Sequence, residues 1–179
     1  GVDDTGHDVK FFGATSGKYL LWDESDNSLD FADATFAKFG TGGDLTIEHN
    51  GSHSYITNNT GDLKIKQHAN DKDLILECDD GSGGTTAYLT LDGSQGFTTV
   101  QKKMVFADSI STTFGSGGDM DIKHDGSNSF IQNHTGNLTI KNFTDDGDII
   151  FQSDDGSGGV TPYITLDGSA GSVTLSKYL

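Results

Sequence analysis

Arginine is absent from the 179 residues, proline and cysteine occur once each, and glutamate is outnumbered by aspartate 24 to 3. Lysine (11) and alanine (8) are also sparse beside 25 glycines, so residues that favour helix interiors are scarce and turn formers abundant, which excludes a helical fold. The formal charge of −16, with no guanidinium fork to grip phosphate, makes nucleic acid and anionic membrane surfaces poor partners. Cys78 is alone, so no disulfide can staple the chain to itself. Leu, Ile, Val and Phe together number 41, about 23% of the chain, barely above the composition of a disordered polymer. No apolar run is long enough for a transmembrane helix or a signal peptide in the sequence as given, and its start at Gly1 suggests a trimmed piece.

What is present is a duplication. A shift of 75 aligns residues 29–104 with 104–179 without a gap, and 39 of the 76 pairs are identical. Phe31-Ala32-Asp33 returns as Phe106-Ala107-Asp108, and the six residues from Asp79 to Gly84 return as Asp154 to Gly159. Tyr19-Leu20-Leu21-Trp22-Asp23 is a degenerate echo of Tyr88-Leu89-Thr90-Leu91-Asp92. The division this implies is an N-terminal segment over 1–28, a first repeat over 29–103 and a second over 104–179.

Within each copy the pattern predicts short antiparallel strands between Gly/Asp/Asn turns, near 44–49, 53–57, 62–67, 73–78, 86–91 and 97–101, with equivalents 75 residues later. The fold class is therefore all-β, built from tandem repeats. Asn50-Gly51 and Asp125-Gly126 predict type I′ hairpins. Leu45 and Ile47 alternate with Thr46 and Glu48, and Leu63 and Ile65 with Lys64 and Lys66, so one face of those strands is wet. Leu74-Ile75-Leu76 and Ile149-Ile150-Phe151 must point apolar groups to both faces, and something is expected to cover them on both sides. One copy alone is marginal against its conformational entropy. Association of several chains lets each strand bury its oily face and closes exposed edges, so the expectation is a homo-oligomer, an elongated parallel trimer.

The opening phrase, Gly1 to Gly13 followed by Gly17-Lys18-Tyr19-Leu20-Leu21-Trp22-Asp23-Glu24-Ser25, resembles a segment that recurs in structural and tail-fibre-like proteins of marine bacteriophages, cyanophages especially. Gly43 to Ile47 and Asp125 to Ile131 are similar to repeat phrases of the same proteins, with Phe130 where those carry Tyr. The resemblance implies a virion appendage protein, extracellular, in contact with other virion proteins and with host surface polysaccharide, and it carries over no catalytic residues.

Four residue groups invite chemistry. His49 and His124 hold the same place in the two copies; they would either meet their symmetry mates around an axial metal or hydrogen-bond at a strand end. Asp79-Asp80 and Asp154-Asp155, beside flexible glycines, offer carboxylates for calcium, though such runs are first of all turn formers. Paired acids also invite a polysaccharide-degrading tailspike, but these aspartates recur with the repeat instead of forming one singular cleft, and Cys78 is replaced by Ser153, so the expectation is a protein without catalysis. Trp22 with Tyr19 would make a sugar-stacking platform, or Trp22 a core plug. The alternative function is a calcium-dependent adhesion module of a bacterial surface or extracellular filament.

Overall fold

In the computed structural model, which describes residues 5–176, the chain forms fifteen strands and no helix. The phrase Gly1 to Asp4 and residues 177–179 lie outside the described residues. The strands group by threes into antiparallel meanders, joined in chain order. The first comprises β1 (Val9–Phe12), β2 (Tyr19–Asp23) and β3 (Ser28–Phe31); the second β4 (Ala37–Phe39), β5 (Leu45–His49) and β6 (Ser54–Asn58). The third comprises β7 (Leu74–Asp79), β8 (Thr85–Asp92) and β9 (Phe97–Val100); the fourth β10 (Thr112–Phe114), β11 (Met120–His124) and β12 (Ser129–Asn133). The fifth comprises β13 (Ile149–Asp154), β14 (Val160–Asp167) and β15 (Ser172–Leu175). Two compact units divide the chain, Gly1–Lys102 and Lys103–Leu179.

The register makes the N-terminal echo a complete meander. Val9 pairs with Trp22 and Trp22 with Leu29, as Leu74 pairs with Leu91 and Leu91 with Thr98, and as Ile149 pairs with Leu166 and Leu166 with Val173. A boundary at 28/29, drawn from sequence identity, would cut the β2–β3 hairpin. The odd-numbered meanders share a second trait. The register puts Val9, Phe11, Leu20, Trp22, Leu29 and Phe31 on one face of the first, and Ile149, Phe151, Ile164, Leu166, Val173 and Leu175 on one face of the fifth. The third differs only in Thr98, beside Leu74, Leu76, Leu89, Leu91 and Val100. The even-numbered meanders alternate less completely: Ala37, Phe39, Leu45, Ile47 and Ile56 share a face with His49, Ser54 and Asn58.

These oily faces have no cover. Within each unit, extensive contact is confined to strand neighbours in the same meander. No apolar side chain among the described residues is buried, and Thr90, whose hydroxyl lies 2.6 Å from the Gln101 side chain, is the single buried residue. Phe11 is 62% exposed, Ile164 39% and Leu175 61%. Ile75 and Ile150, on the opposite face from their neighbours, are about half exposed, so the expected two-sided cover is not supplied by this chain.

Local chemistry explains the strand ends and irregularities. The ladder slips between Leu76 and Glu77, leaving Tyr88 as the extra residue, and slips again between Phe151 and Gln152, leaving Tyr163. Each tyrosine hydroxyl donates to a carbonyl across the hairpin, Tyr88 to Asp79 (3.3 Å) and Tyr163 to Asp154 (2.9 Å). Pro162, the chain's one proline, stands beside this bulge, where a central strand tolerates a missing N–H. The β5–β6 hairpin is present, but not as type I′. Among its loop residues only Gly51 has positive φ (95°), and the Asn50 side-chain oxygen accepts from the Ser52 and His53 amides, giving a Gly-first turn of the II′ pattern. Asp125, Gly126, Ser127 and Asn128 repeat it. The segments 62–67 and 137–142, expected as strands, lie outside every ladder.

Ala34 and Ser109 hold equivalent left-handed positions (φ 53° and 65°), each donating its amide to the carbonyl of His49 or His124 at 2.7 Å. A side chain there costs roughly 1 kcal/mol. Ala34→Gly is expected to raise the denaturant midpoint slightly, a net gain of at most about 0.5 kcal/mol once the glycine's own entropy cost is set against the relieved strain, and Ala34→Val to lower it.

Candidate functional site

The acidic residues resolve into turn locks. In the loop after β7, Asp80 Oδ1 accepts from the Ser82 amide (2.7 Å), the Ser82 hydroxyl (2.7 Å) and the Gly84 amide (3.1 Å), while the Asp80 amide donates to the Gly84 carbonyl (3.0 Å). Asp155 makes the same bonds to Ser157 and Gly159 at 2.7, 2.7 and 3.1 Å. Asp79 and Asp154 each accept from the amide two residues on, Gly81 (2.6 Å) and Gly156 (3.1 Å). Gly81 and Gly83 carry φ of 82° and 91°, which only glycine adopts freely. On each of these four aspartates the loop donors engage one carboxylate oxygen. Among the described residues no three His, Cys, Asp or Glu side chains gather as a metal-holding group.

A second set of locks escaped the sequence reading. Asp23, Asp92 and Asp167 close the hairpins after β2, β8 and β14: Asp92 Oδ1 accepts from the Ser94 amide (2.9 Å), the Ser94 hydroxyl (2.8 Å) and the Gln95 amide (2.8 Å). Asp23 does the same with Ser25 and Asp26, and Asp167 with Ser169 and Ala170. The Asp-x-Ser triplet three residues before the next strand was the available signal. The residue that must turn left-handed here is Gly96, Gly171 or, in the first meander, Asn27.

His49 and His124 lie on the apolar faces of their meanders, as their spacing from Ile47 and Ile122 predicts, and each Nδ1 contacts a serine hydroxyl across the hairpin: Ser54 at 3.0 Å and Ser129 at 3.1 Å. Trp22 and Tyr19 are not brought together. Three residues apart on one strand, they point to opposite faces; Trp22 joins Val9 and Leu29, while Tyr19 lies under the Lys10 ammonium, 3.6 Å from the ring centroid. At 39% exposure Trp22 neither plugs a core within its chain nor shares a stacking platform with Tyr19. Cys78 is exposed on β7, opposite Thr86.

An open apolar groove of about 620 Å³ lies in the second unit. Met104, Val105 and Phe106 form one wall, and Ile110, Ile122 and Ile131 continue it across the apolar face of the fourth meander to His124. The link to this meander runs over residues 101–111, against 32–36 for its first-copy counterpart, and the extra length forms the wall. No family model, curated protein or solved structure matches the chain.

The locks predict acid sensitivity with a definite sign. Hydrogen bonds hold Asp23, Asp80, Asp92, Asp125, Asp155 and Asp167 below the usual carboxylate value of 3.8: the Ser25, Ser82 and Ser157 hydroxyls lead for Asp23, Asp80 and Asp155, and backbone amides for Asp92, Asp125 and Asp167. A depressed folded-state value means stabilisation that is complete above the ordinary value and is lost as pH falls through the lower one. Thermal melts are therefore expected to hold steady from neutral pH to about 5 and to drop below about 4. Asp125→Asn should lessen the drop without opening its turn, because Asn50 already makes the same pair of bonds as an amide.

Proposed function

We propose that this chain is a self-assembling structural segment of a virion appendage, a tail fibre of the marine bacteriophage type, whose work is mechanical extension and contact with the host surface. The observation that carries the reading is the set of uncovered apolar side chains that share one face in the odd-numbered meanders, Phe11 at 62% exposure, Val173 at 64% and Leu175 at 61% among them. Scattered exposed leucines are ordinary; contiguous oily sheet faces in register mark an interface.

Sheet geometry supports three chains. A three-stranded sheet is about 14 Å wide at the usual strand spacing, and packed sheets lie about 10 Å apart, so each side of a core is about 5 Å from its centre. Three such sheets around an axis enclose a triangle whose centre is about 4 Å from each wall, which one layer of side chains fills. Four would leave a void at about 7 Å, and two would leave every edge strand bare. The resemblance of the opening phrase and of the repeat phrases to phage structural proteins supports reading the assembly as part of a virion, outside the cell. No catalytic step is assigned to it: the aspartates lock turns, and the groove of the second unit is lined mainly by apolar side chains.

Sedimentation equilibrium is the test. The expected mass is three times the 19.0 kDa chain, retained on dilution and lost on boiling. A compact, cooperatively melting particle of single-chain mass would overturn the reading. Ile164→Asp, which sets a charge on the apolar face of the fifth meander, is expected to cost several kcal/mol per chain and to shift the sample toward monomer.

A further inference from the structure

Besides the bare outer edges of the meanders and the link residues 102–106, backbone hydrogen bonding lapses at two matched places among the described residues. From Asp62 to His68, and again from Asn137 to Lys141, no backbone amide or carbonyl among the described residues is hydrogen-bonded to the protein. Both segments follow a turn tied down firmly. Asn58 donates to the Thr60 and Gly61 carbonyls (3.1 and 2.7 Å), and Asn133 to those of Thr135 and Gly136 (3.1 and 2.9 Å). The chain is thus delivered to these stretches in a fixed direction and then left unpaired.

Their side chains carry the pattern of a half-buried strand. Leu63 and Ile65 alternate with Lys64 and Lys66, and Leu138 and Ile140 with Thr139 and Lys141, yet all four apolar groups are between 49% and 64% exposed. Ile65 also helps line a smaller groove, about 360 Å³, with Leu74, Leu91 and Phe97, so in the first unit the segment runs beside an oily meander without filling the space. Both stretches are net positive in a chain of charge −16. A surface to suit them is therefore acidic, and a second copy of the same chain is acidic, has uncovered oily faces and offers unpaired sheet edges.

We infer that residues 62–67 and 137–141 are intersubunit strands, whose backbone partners belong to a second copy of this chain. The mode is strand addition: main-chain hydrogen bonds supply the affinity, and the Leu/Ile pair fixes which side faces inward. The inference rests on the proposed assembly but makes a narrower claim, since chains can associate through their meander faces alone and leave both segments loose.

Hydrogen exchange on the intact protein, with its mass measured in the same buffer, separates these cases. In an assembled sample, the amides of 63–66 and 138–141 are expected to exchange about 100-fold or more slower than free peptide, in the range of β5 and β11. Exchange within about tenfold of free peptide in a sample of oligomeric mass would overturn the inference and leave the assembly standing. A monomeric sample would remove both. Proline is the independent probe, because it suits a free extended chain but removes a ladder donor. Neighbouring amides point to opposite sides, so one of Thr139→Pro and Ile140→Pro should markedly lower the melting temperature of the assembly. If both are neutral, the segment is not a paired strand.

Discussion

The constraint on which this protein turns is that each of its sheets has an oily face and nothing in its own chain to lay on it. Three strands of three to eight residues make a sheet too small to be stable by itself in water. Ordinarily a second layer comes from the same chain, a helix or another sheet packed across the core. Here the sequence contains no helix former in quantity, and the links run from one meander to the next without bringing two oily faces together within a unit. The hydrophobic effect, the dominant stabilising term in most domains, is therefore largely unspent in the isolated chain. In the proposed assembly stability would follow protomer concentration, as wherever subunits are incomplete alone.

The aspartates answer a different requirement. A charge of −16 on 179 residues repels itself, and repulsion opposes compaction. Placing much of that charge in loops, where each carboxylate accepts two or three hydrogen bonds, turns it to structural use. Serine two residues on contributes its amide and its hydroxyl to the same oxygen at Asp23, Asp80, Asp92 and Asp155. The turns then hold without apolar packing, which matters in a molecule that has none to give them. The residual charge keeps oily meanders from indiscriminate edge-to-edge growth.

What could be read from the sequence divides along the same line. Strands with a local partner were legible: β5 and β6 are joined by a turn whose glycine and Asx residue are visible as letters, and the alternation of Leu45 and Ile47 predicts the face that the register confirms. The turn type was misread because Asn-Gly suggests two left-handed residues, whereas the Asn50 side chain replaces its own carbonyl as acceptor and only Gly51 needs positive φ. The first meander was read as a fragment because its β1–β2 loop, 13–18, is one residue longer than 80–84 and 155–159 and its capping residue is Asn27 where the others have glycine, so identity fades while register persists. The stretch 62–67 has the period of a strand and no ladder in this chain. Period reports which side chains seek burial, not which chain provides it. The platform of Trp22 and Tyr19 failed on parity alone, since an odd spacing on a strand separates faces.

Repetition converts these weak faces into a strong one. A single meander face gains little from meeting its counterpart, because association first spends the translational and rotational freedom of whole chains. That cost arises once per chain, whereas the gain recurs at every meander along it; once one set of faces has met, the next is held at high effective concentration by the link between them. The stability of the proposed assembly therefore rises with the number of repeats until each added repeat contributes only its own surplus, the behaviour of a linear array of nearest-neighbour units. The duplication of 75 residues is on this view the means by which a polypeptide with so little apolar material becomes stable at all, and a single copy of the repeat should be the least able to hold itself together.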